Sequence, residues 1–401
     1  CEPHEGSEPG VGWNMVQAIS RNNEAWIITR RNNRAVIESE LADRPNPHLH
    51  FHFVDLPCWA SFWKKGGRGV RTYYYLWQLL AWRQARRLHQ EFDFDLGHHI
   101  TFVSDWLYTF QALLPIPVVW GPIGSNPLIP AQLAFDSKAV VRDRARYLFQ
   151  SAMRVIDPLF WASVLRADHI IGIENSVAKR FPFSAMKNKR FTAHTAIGVE
   201  EMPTVTGKED SRHDRPFRVL SVGKLLPVKG FHLAIAAFAE FSRQVPNSEL
   251  LIIGKGPLDK RLQDLGHQLG VADKVKFRDW LPRAEVLEAM RAADVFLFPT
   301  FEGAGMVVLE AMASQLPVVC LDFGGPGLMV ADDCGYRAAV GGRSETEHEL
   351  ADALVRYAGD PAMVREHGAN ARQHVEKHYL WSTRDKAIQR WYDISEKRDD
   401  T

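Results

Sequence analysis

The chain has 401 residues, of which 46% are hydrophobic and 24% charged, and its formal net charge is +1. That length exceeds one ordinary core and predicts about two or three domains, while the balanced charge argues against a nucleic-acid partner. Four cysteines, Cys1, Cys58, Cys320 and Cys334, make no Cys-x-x-Cys pair and no zinc-ligand spacing. No apolar run reaches the roughly 18 residues of a spanning helix, and no segment reads as a secretory signal. A globular enzyme of the reducing cytosol is the expectation.

The first ten residues read as a loop that opens onto a helix over 11–22. An α/β domain ordinarily starts on a strand, so its first strand is expected to be missing. Strands are then predicted at 25–29, 50–54, 94–100, 116–120, 169–173 and 191–195, with helical stretches between most of them, which implies a parallel sheet covered on both faces. Residues 56–90 hold seven basic side chains, eight aromatic ones and no acid. Such a stretch suits a membrane surface, with rings at headgroup depth and cations on anionic lipid; equally, the rings can pack in the core and the cations be solvated. Asp93 and Asp95 precede a strand without a clear third ligand and read as structural. His98 and His99, at the end of that strand, can hydrogen-bond a substrate hydroxyl or simply pack.

Residues 201–216 are polar and read as an inter-domain linker. Beyond them strands are predicted at 218–222, 250–253, 274–277, 294–298, 317–321 and 336–340, with helices at 231–244, 258–269, 284–292 and 306–314. This is the rhythm of a doubly wound sheet, which binds ligands beyond the carboxyl ends of its strands. The tail from Glu345 is helical, with breaks at Pro361 and near Tyr379. The expected division is 1–200, a linker at 201–216, a second domain at 217–378 and a terminal helix at 379–401.

Two constellations carry chemistry. After the predicted strand 294–298 comes a small-residue turn, Gly303-Ala304-Gly305, and then a helix from Met306, with Glu302 in the turn and Glu310 about one turn inside the helix. Unpaired N–H groups at such a helix start favour a diphosphate, and a carboxylate accepts from a cis-diol, so the pair suggests a phosphorylated sugar. After the strand 218–222, Gly223 permits close approach while Lys224 and Lys229 bring two ammonium groups to the same sheet edge. Gly254-Lys255-Gly256-Pro257 and Arg278-Asp279-Trp280-Leu281 would border the same edge, the latter placed for a nucleobase. Each element also has a structural reading as ordinary strand-to-helix punctuation.

In order and spacing these motifs resemble the retaining family-four glycosyltransferases. Glu302 and Glu310 look like the Glu-x7-Glu signature, and Gly223-Lys224 followed by Lys229-Gly230 is similar to the Gly-Arg-x4-Lys-Gly loop. Gly254 to Pro257 and Cys320 to Pro326 also match, so the resemblance covers nearly all of the second half. In the first half, Cys1 to Trp13 and Trp120-Gly121-Pro122-Ile123-Gly124 look like a branch that builds bacterial surface polysaccharides. The resemblance implies a GT-B fold, two Rossmann-like domains facing across a cleft, with no metal. It further implies a UDP- or GDP-sugar donor and a glycan or lipid-linked acceptor, at the cytoplasmic side or the inner face of the membrane. Glu302 would contact the donor sugar, Glu310 the ribose, and Lys224 with Lys229 the diphosphate. Backbone at Gly303, Ala304, Gly305 and Met306 would line sugar and phosphate, with Gly10 and Gly12 facing the phosphate from the other domain, and the final helix crossing back. The chain departs from the pattern with Lys224 in place of arginine, Ala304 in place of an aromatic residue, and no histidine after Trp120; His98, at an Asp-x-x-His spacing from Asp95, is the remaining catalytic candidate.

Overall fold

A computed structural model describes all residues except 4–6, 65, 67–68, 182–185, 187–188, 205–214 and 394–401. The chain forms two compact units, one of residues 1–125, 148–196 and 381–401, the other of 126–147 and 197–380.

In the first unit, β1 (Ala25–Arg30) pairs in parallel with β2 (Leu49–Val54), Ala25 opposite Leu49. A separate parallel sheet runs β3 (Gly97–His99), β4 (Val118–Ile123), β5 (His169–Gly172) and β6 (Arg190–Ala193) in that order. The continuous apolar sequence of β4 and β5 suits strands covered on both faces, and both are buried along their whole length. Trp120 meets Phe160 edge-on with ring centroids 5.9 Å apart, and Phe160 stacks on Phe181 at 5.7 Å, forming the centre of this core. The single sheet expected from the strand rhythm is thus two sheets among the described residues. A cavity of about 170 Å³ is lined by Ile27 and Ile28 of β1 and by all three residues of β3.

The first helix, Ser7–Ile19, starts earlier than its sequence suggests. Pro9 is tolerated in an opening turn, and burial of Trp13, Met15 and Val16 outweighs the poor propensity of two glycines. The last described helix, Asp385–Tyr392, packs on this same unit, where Tyr392 Oη lies 2.8 Å from His98 Nδ1 and His169 Nδ1 lies 3.0 Å from the Trp391 carbonyl.

The second unit holds one six-stranded parallel sheet: β7 (Phe217–Val222), β8 (Ser248–Ile253), β9 (Val275–Arg278), β10 (Val295–Phe298), β11 (Val318–Leu321) and β12 (Gly335–Ala338). Their spatial order is β12-β11-β10-β7-β8-β9, so the winding reverses between β7 and β10. Every residue of β10 is fully buried. The helix Phe231–Gln244 begins and ends where its apolar periodicity says it should. Residues 126–147, assigned by sequence to the first domain, group instead with this unit: His232 Nε2 lies 2.8 Å from the Leu133 carbonyl, and Arg261 pairs with Asp136 at 2.7 Å. The proposed linker lies largely outside the described residues, but Arg215 at its end grips Asp294 through two nitrogens at 2.8 and 2.9 Å, while the Arg218 N–H donates to the same carboxylate at 2.9 Å. Asp294 is 1% exposed, so Asp294→Ala strands a guanidinium and a backbone donor together. It is expected to lower unfolding free energy by about 2–4 kcal/mol, measured by urea denaturation; a loss below about 1 kcal/mol contradicts this role. No helix among the described residues is long and apolar enough to cross a membrane.

Candidate active site

The carboxyl ends of β7 and β10 are neighbours because the sheet reverses there, which brings the two sequence constellations into one place. Backbone bonds stitch the loops together. The Phe301 N–H donates to the Val228 carbonyl at 2.8 Å, and Thr300 Oγ1 to the same oxygen at 3.1 Å. A third loop, after β11, joins through the Gly325 N–H, which donates to the Glu302 carbonyl at 2.8 Å. Gly230 sits at φ +68 with the carbonyl of Pro299 where a Cβ would lie, so only glycine lets these loops approach this closely. Gly254, at φ +150, likewise abuts the carbonyl of Gly223 and braces the Lys224 loop.

Lys229 is the hub. Its Nζ lies 2.6 Å from Glu302 Oε2 and 5.2 Å from the centroid of the Phe298 ring. The two side chains are 15% and 20% exposed, so the ion pair is enclosed yet reachable. Lys224 is exposed, and no carboxylate pairs with it among the described residues. Gly223, at φ +154, lies beside the Lys229 side chain. The Gly303 N–H donates to Asn126 Oδ1 at 3.1 Å, Ala304 is exposed, and Gly305 at φ +126 leads into the helix Met306–Ala313.

Glu310 projects from the first turns of that helix, with Oε1 3.2 Å from Arg283 Nε. Burial raises the pKa of its carboxyl above the ordinary value, and Arg283 partly offsets this. Leu281 is part-buried after β9, beside Trp280, which is 74% exposed. One edge of this unit therefore gathers two lysines, two carboxylates, a helix N-terminus and glycine turns, a set suited to a diphosphate linked to a diol-bearing sugar.

Asn126, Thr300 and Arg283 escaped the sequence reading. Asn126 lies 177 residues from Gly303, and nothing in its neighbourhood marks it out. Thr300 Oγ1, 3.5 Å from Glu302 Oε2, and Arg283 are supports recognisable only once the loops are assembled.

The first unit treats its candidates differently. Gly10 and Gly12 lie inside the helix Ser7–Ile19, not in a loop ahead of it. His98 has both nitrogens engaged, Nδ1 with Tyr392 Oη at 2.8 Å and Nε2 with the Gly121 carbonyl at 2.7 Å, leaving none for an acceptor hydroxyl. His99 Nε2 lies 2.6 Å from Tyr74 Oη. Burial lowers His98, His99, His194 and His232 from 6.5 to about 4. The folded protein thus resists protonation that the unfolded chain accepts, and stability is expected to fall as pH drops from 6.5 towards 4. Calorimetry across that window should show a declining melting temperature, with a shallower slope for His232→Gln; equal slopes would count against this account.

In the stretch 56–90, Tyr73 and Tyr74 are buried, and Trp77 Nε1 donates to the Val54 carbonyl at 2.8 Å. The core reading holds for these rings, while Trp59 and Phe62 remain 79% and 76% exposed. Lys65 and Arg68 lie outside the described residues.

The family description "Glycosyl transferases group 1" matches residues 206–374. Over this segment, less than half of its length, the chain is similar to that family. A curated relative from Mycolicibacterium smegmatis, a GDP-mannose-dependent alpha-(1-6)-phosphatidylinositol monomannoside mannosyltransferase, is 33% identical over 179 residues, 43% of this chain and 46% of that protein. The chain thus matches about half the length of this relative. Among solved structures, sucrose-phosphate synthase from Thermosynechococcus elongatus aligns with a TM-score of 0.65 at 19% identity, over 96% of this chain and 93% of that one. Anabaena HepE, solved with UDP and glucose, aligns at 0.62 and 16% identity over 96% of both. At such identities the likeness concerns fold, and the fold is GT-B, α/β with Rossmann-like parallel sheets.

Proposed function

We propose that this chain is a retaining glycosyltransferase. It moves a sugar from a UDP- or GDP-sugar to a hydroxyl of a glycan or lipid-linked acceptor in bacterial polysaccharide synthesis, at the cytoplasmic side or the inner face of the membrane. The observation that carries the reading is the Lys229–Glu302 pair at the reversal of the sheet, with Lys224 exposed in the same loop after β7. Donor diphosphate takes Lys229 and Lys224 as counter-charges, aided by N–H groups at the Met306 helix, and Glu310 accepts from the ribose hydroxyls. Glu302, released from full engagement with Lys229, accepts from hydroxyls of the donor sugar.

Transfer then passes through an oxocarbenium-like state, as in glycoside cleavage, and its main stabilisation comes from cations fixed where the leaving diphosphate gains charge. Among the described residues the two carboxylates of this edge, Glu302 and Glu310, are paired with Lys229 and Arg283, and a front-face course, with the leaving phosphate helping to deprotonate the acceptor, fits the site. Because two lysines and the helix start supply the neutralising charge, chelation by EDTA is expected to leave the rate within about twofold. A loss of activity restored by a divalent cation would contradict the metal-free reading.

A thermal-shift panel of UDP- and GDP-sugars names the donor, and an acceptor-dependent turnover assay tests catalysis. Free nucleoside diphosphate released only in the presence of acceptor supports transfer. Conversion of the donor without acceptor points to an epimerase, phosphorolysis to a phosphorylase, and binding without turnover to a sugar-nucleotide-binding protein.

A further inference from the structure

The carboxyl edge of the second unit's sheet continues past the lysine and carboxylate loops to β8 and β9. Backbone bonds lay the loops there side by side. The Gly223 N–H donates to the Ile253 carbonyl at 2.9 Å, the Leu225 N–H to the Lys255 carbonyl at 3.1 Å, and the Gly254 N–H to the Arg278 carbonyl at 2.9 Å. In the spatial order β10-β7-β8-β9 the loops therefore carry Glu302, then Lys224, then Lys255, then Asp279. Neighbouring strands stand about 4.8 Å apart, so this row runs for about 14 Å. Sugar and diphosphate take the β10–β7 end, and Glu310, given to the ribose, meets Arg283 in the segment that follows Asp279. The base is thereby directed towards the β8–β9 end.

Three side chains at that end have no part in the transfer described above. Lys255 Nζ lies 3.1 Å from Asp279 Oδ2, with the two side chains 69% and 70% exposed. Trp280, next in the chain, is 74% exposed, although tryptophan is mostly buried in folded proteins. An ion pair this exposed adds little to stability, so the fold does not require these residues.

We propose that Lys255 and Asp279 read the base of the donor and select guanine over uracil, which makes the donor a GDP-sugar. Guanine presents O6, N1–H and the N2 amine in a row, one acceptor and two donors. The site offers the matching row, an ammonium beside a carboxylate whose two oxygens only accept, and a bidentate charge-assisted contact of this kind is both strong and specific. Uracil presents O4, N3–H and O2, so its second carbonyl would face a carboxylate oxygen with no proton between them. Adenine lacks the N1 proton altogether. The Trp280 ring supplies a stacking face, which adds affinity for any base and leaves the choice to the charged pair. The inference rests on the donor site proposed above and adds the identity of the base.

Calorimetric titration of the full chain with GDP, UDP and xanthosine diphosphate tests it. Wild type is expected to bind GDP about 10- to 100-fold more tightly than UDP, the discrimination a bidentate base contact provides. Asp279→Asn, a change of similar volume at an exposed position, should lose GDP affinity by about the same factor. It should also gain affinity for xanthosine diphosphate, whose ring has a carbonyl where guanine has the amine, so that the new amide N–H finds an acceptor. Trp280→Ala should weaken GDP and UDP alike, about tenfold. Circular dichroism checks each fold; should Asp279→Asn not fold, Asp279→Ala is read instead by a GDP-to-UDP affinity ratio falling towards one. The proposal is overturned if wild type binds the two within about twofold, if it prefers UDP, or if the folded Asp279 variant keeps the wild-type preference. In each of those cases a nucleoside diphosphate still binds and the donor site stands. Binding of neither GDP nor UDP to wild type overturns the donor site and the base assignment together.

Discussion

Lys229→Ala is expected to reduce transfer about 100- to 1,000-fold while the protein stays folded. Removing one preorganised donor aimed at developing charge carries a penalty of that order, and here the donor is a full ammonium held by a 2.6 Å contact with Glu302. The structural cost is smaller. The Glu302 side chain is 20% exposed and still has Thr300 Oγ1 at 3.5 Å, so the abandoned carboxylate can be solvated, at about 1 kcal/mol or less. Steady-state kinetics beside a thermal melt separates the two effects. Near wild-type turnover from a normally melting Lys229→Ala protein would falsify the donor assignment. Glu302→Gln is the informative partner: it frees Lys229 from a competing anion, so nucleoside diphosphate should bind more tightly even as sugar transfer falls.

Glu310→Gln is expected to weaken donor binding about 10- to 100-fold, because a hydrogen bond to a charged acceptor is worth about 1.5–3 kcal/mol. Its stability effect should be neutral or slightly favourable. Burial raises the folded pKa of Glu310, so its stabilising contribution is present below the ordinary carboxyl value and is lost as pH rises through the raised one. At neutral pH the buried charge is therefore a cost that glutamine removes, and Arg283, 59% exposed, loses little when its partner goes. The same raised pKa makes donor affinity fall as pH is lowered through it in wild type, since protonation removes the acceptor. That dependence should vanish in Glu310→Gln. Calorimetric titration with UDP and GDP at several pH values checks both, and parallel pH profiles for the two proteins would remove Glu310 from the ribose.

The second unit was readable because its signals are local. Its central strands β10 and β11 are short continuous apolar runs, its helices keep one period, and Gly223, Gly230, Gly254 and Gly305 stand where the backbone takes positive φ. The N-terminal helix misled the reading: Pro9, Gly10 and Gly12 favour a loop, yet tertiary burial of Trp13 and Met15 makes the segment helical from Ser7. His98 looked available because its strand ends at a sheet edge; its partner Tyr392 is 294 residues away. The placement of residues 126–147 with the second unit rests on contacts such as His232 with Leu133 and Arg261 with Asp136, invisible in one dimension.

By itself the sequence determined the α/β alternation, the glycine turns and the spacing of Lys224, Lys229, Glu302 and Glu310, since these follow from local backbone preference and side-chain chemistry. Only the tertiary structure decided that Lys229 and Glu302 touch, that Asn126 holds the Gly303 N–H, and that the half-buried Glu310 meets Arg283. Each of those contacts joins residues far apart in the chain, and the reversal of strand order between β7 and β10 creates the edge where the lysine and carboxylate loops meet.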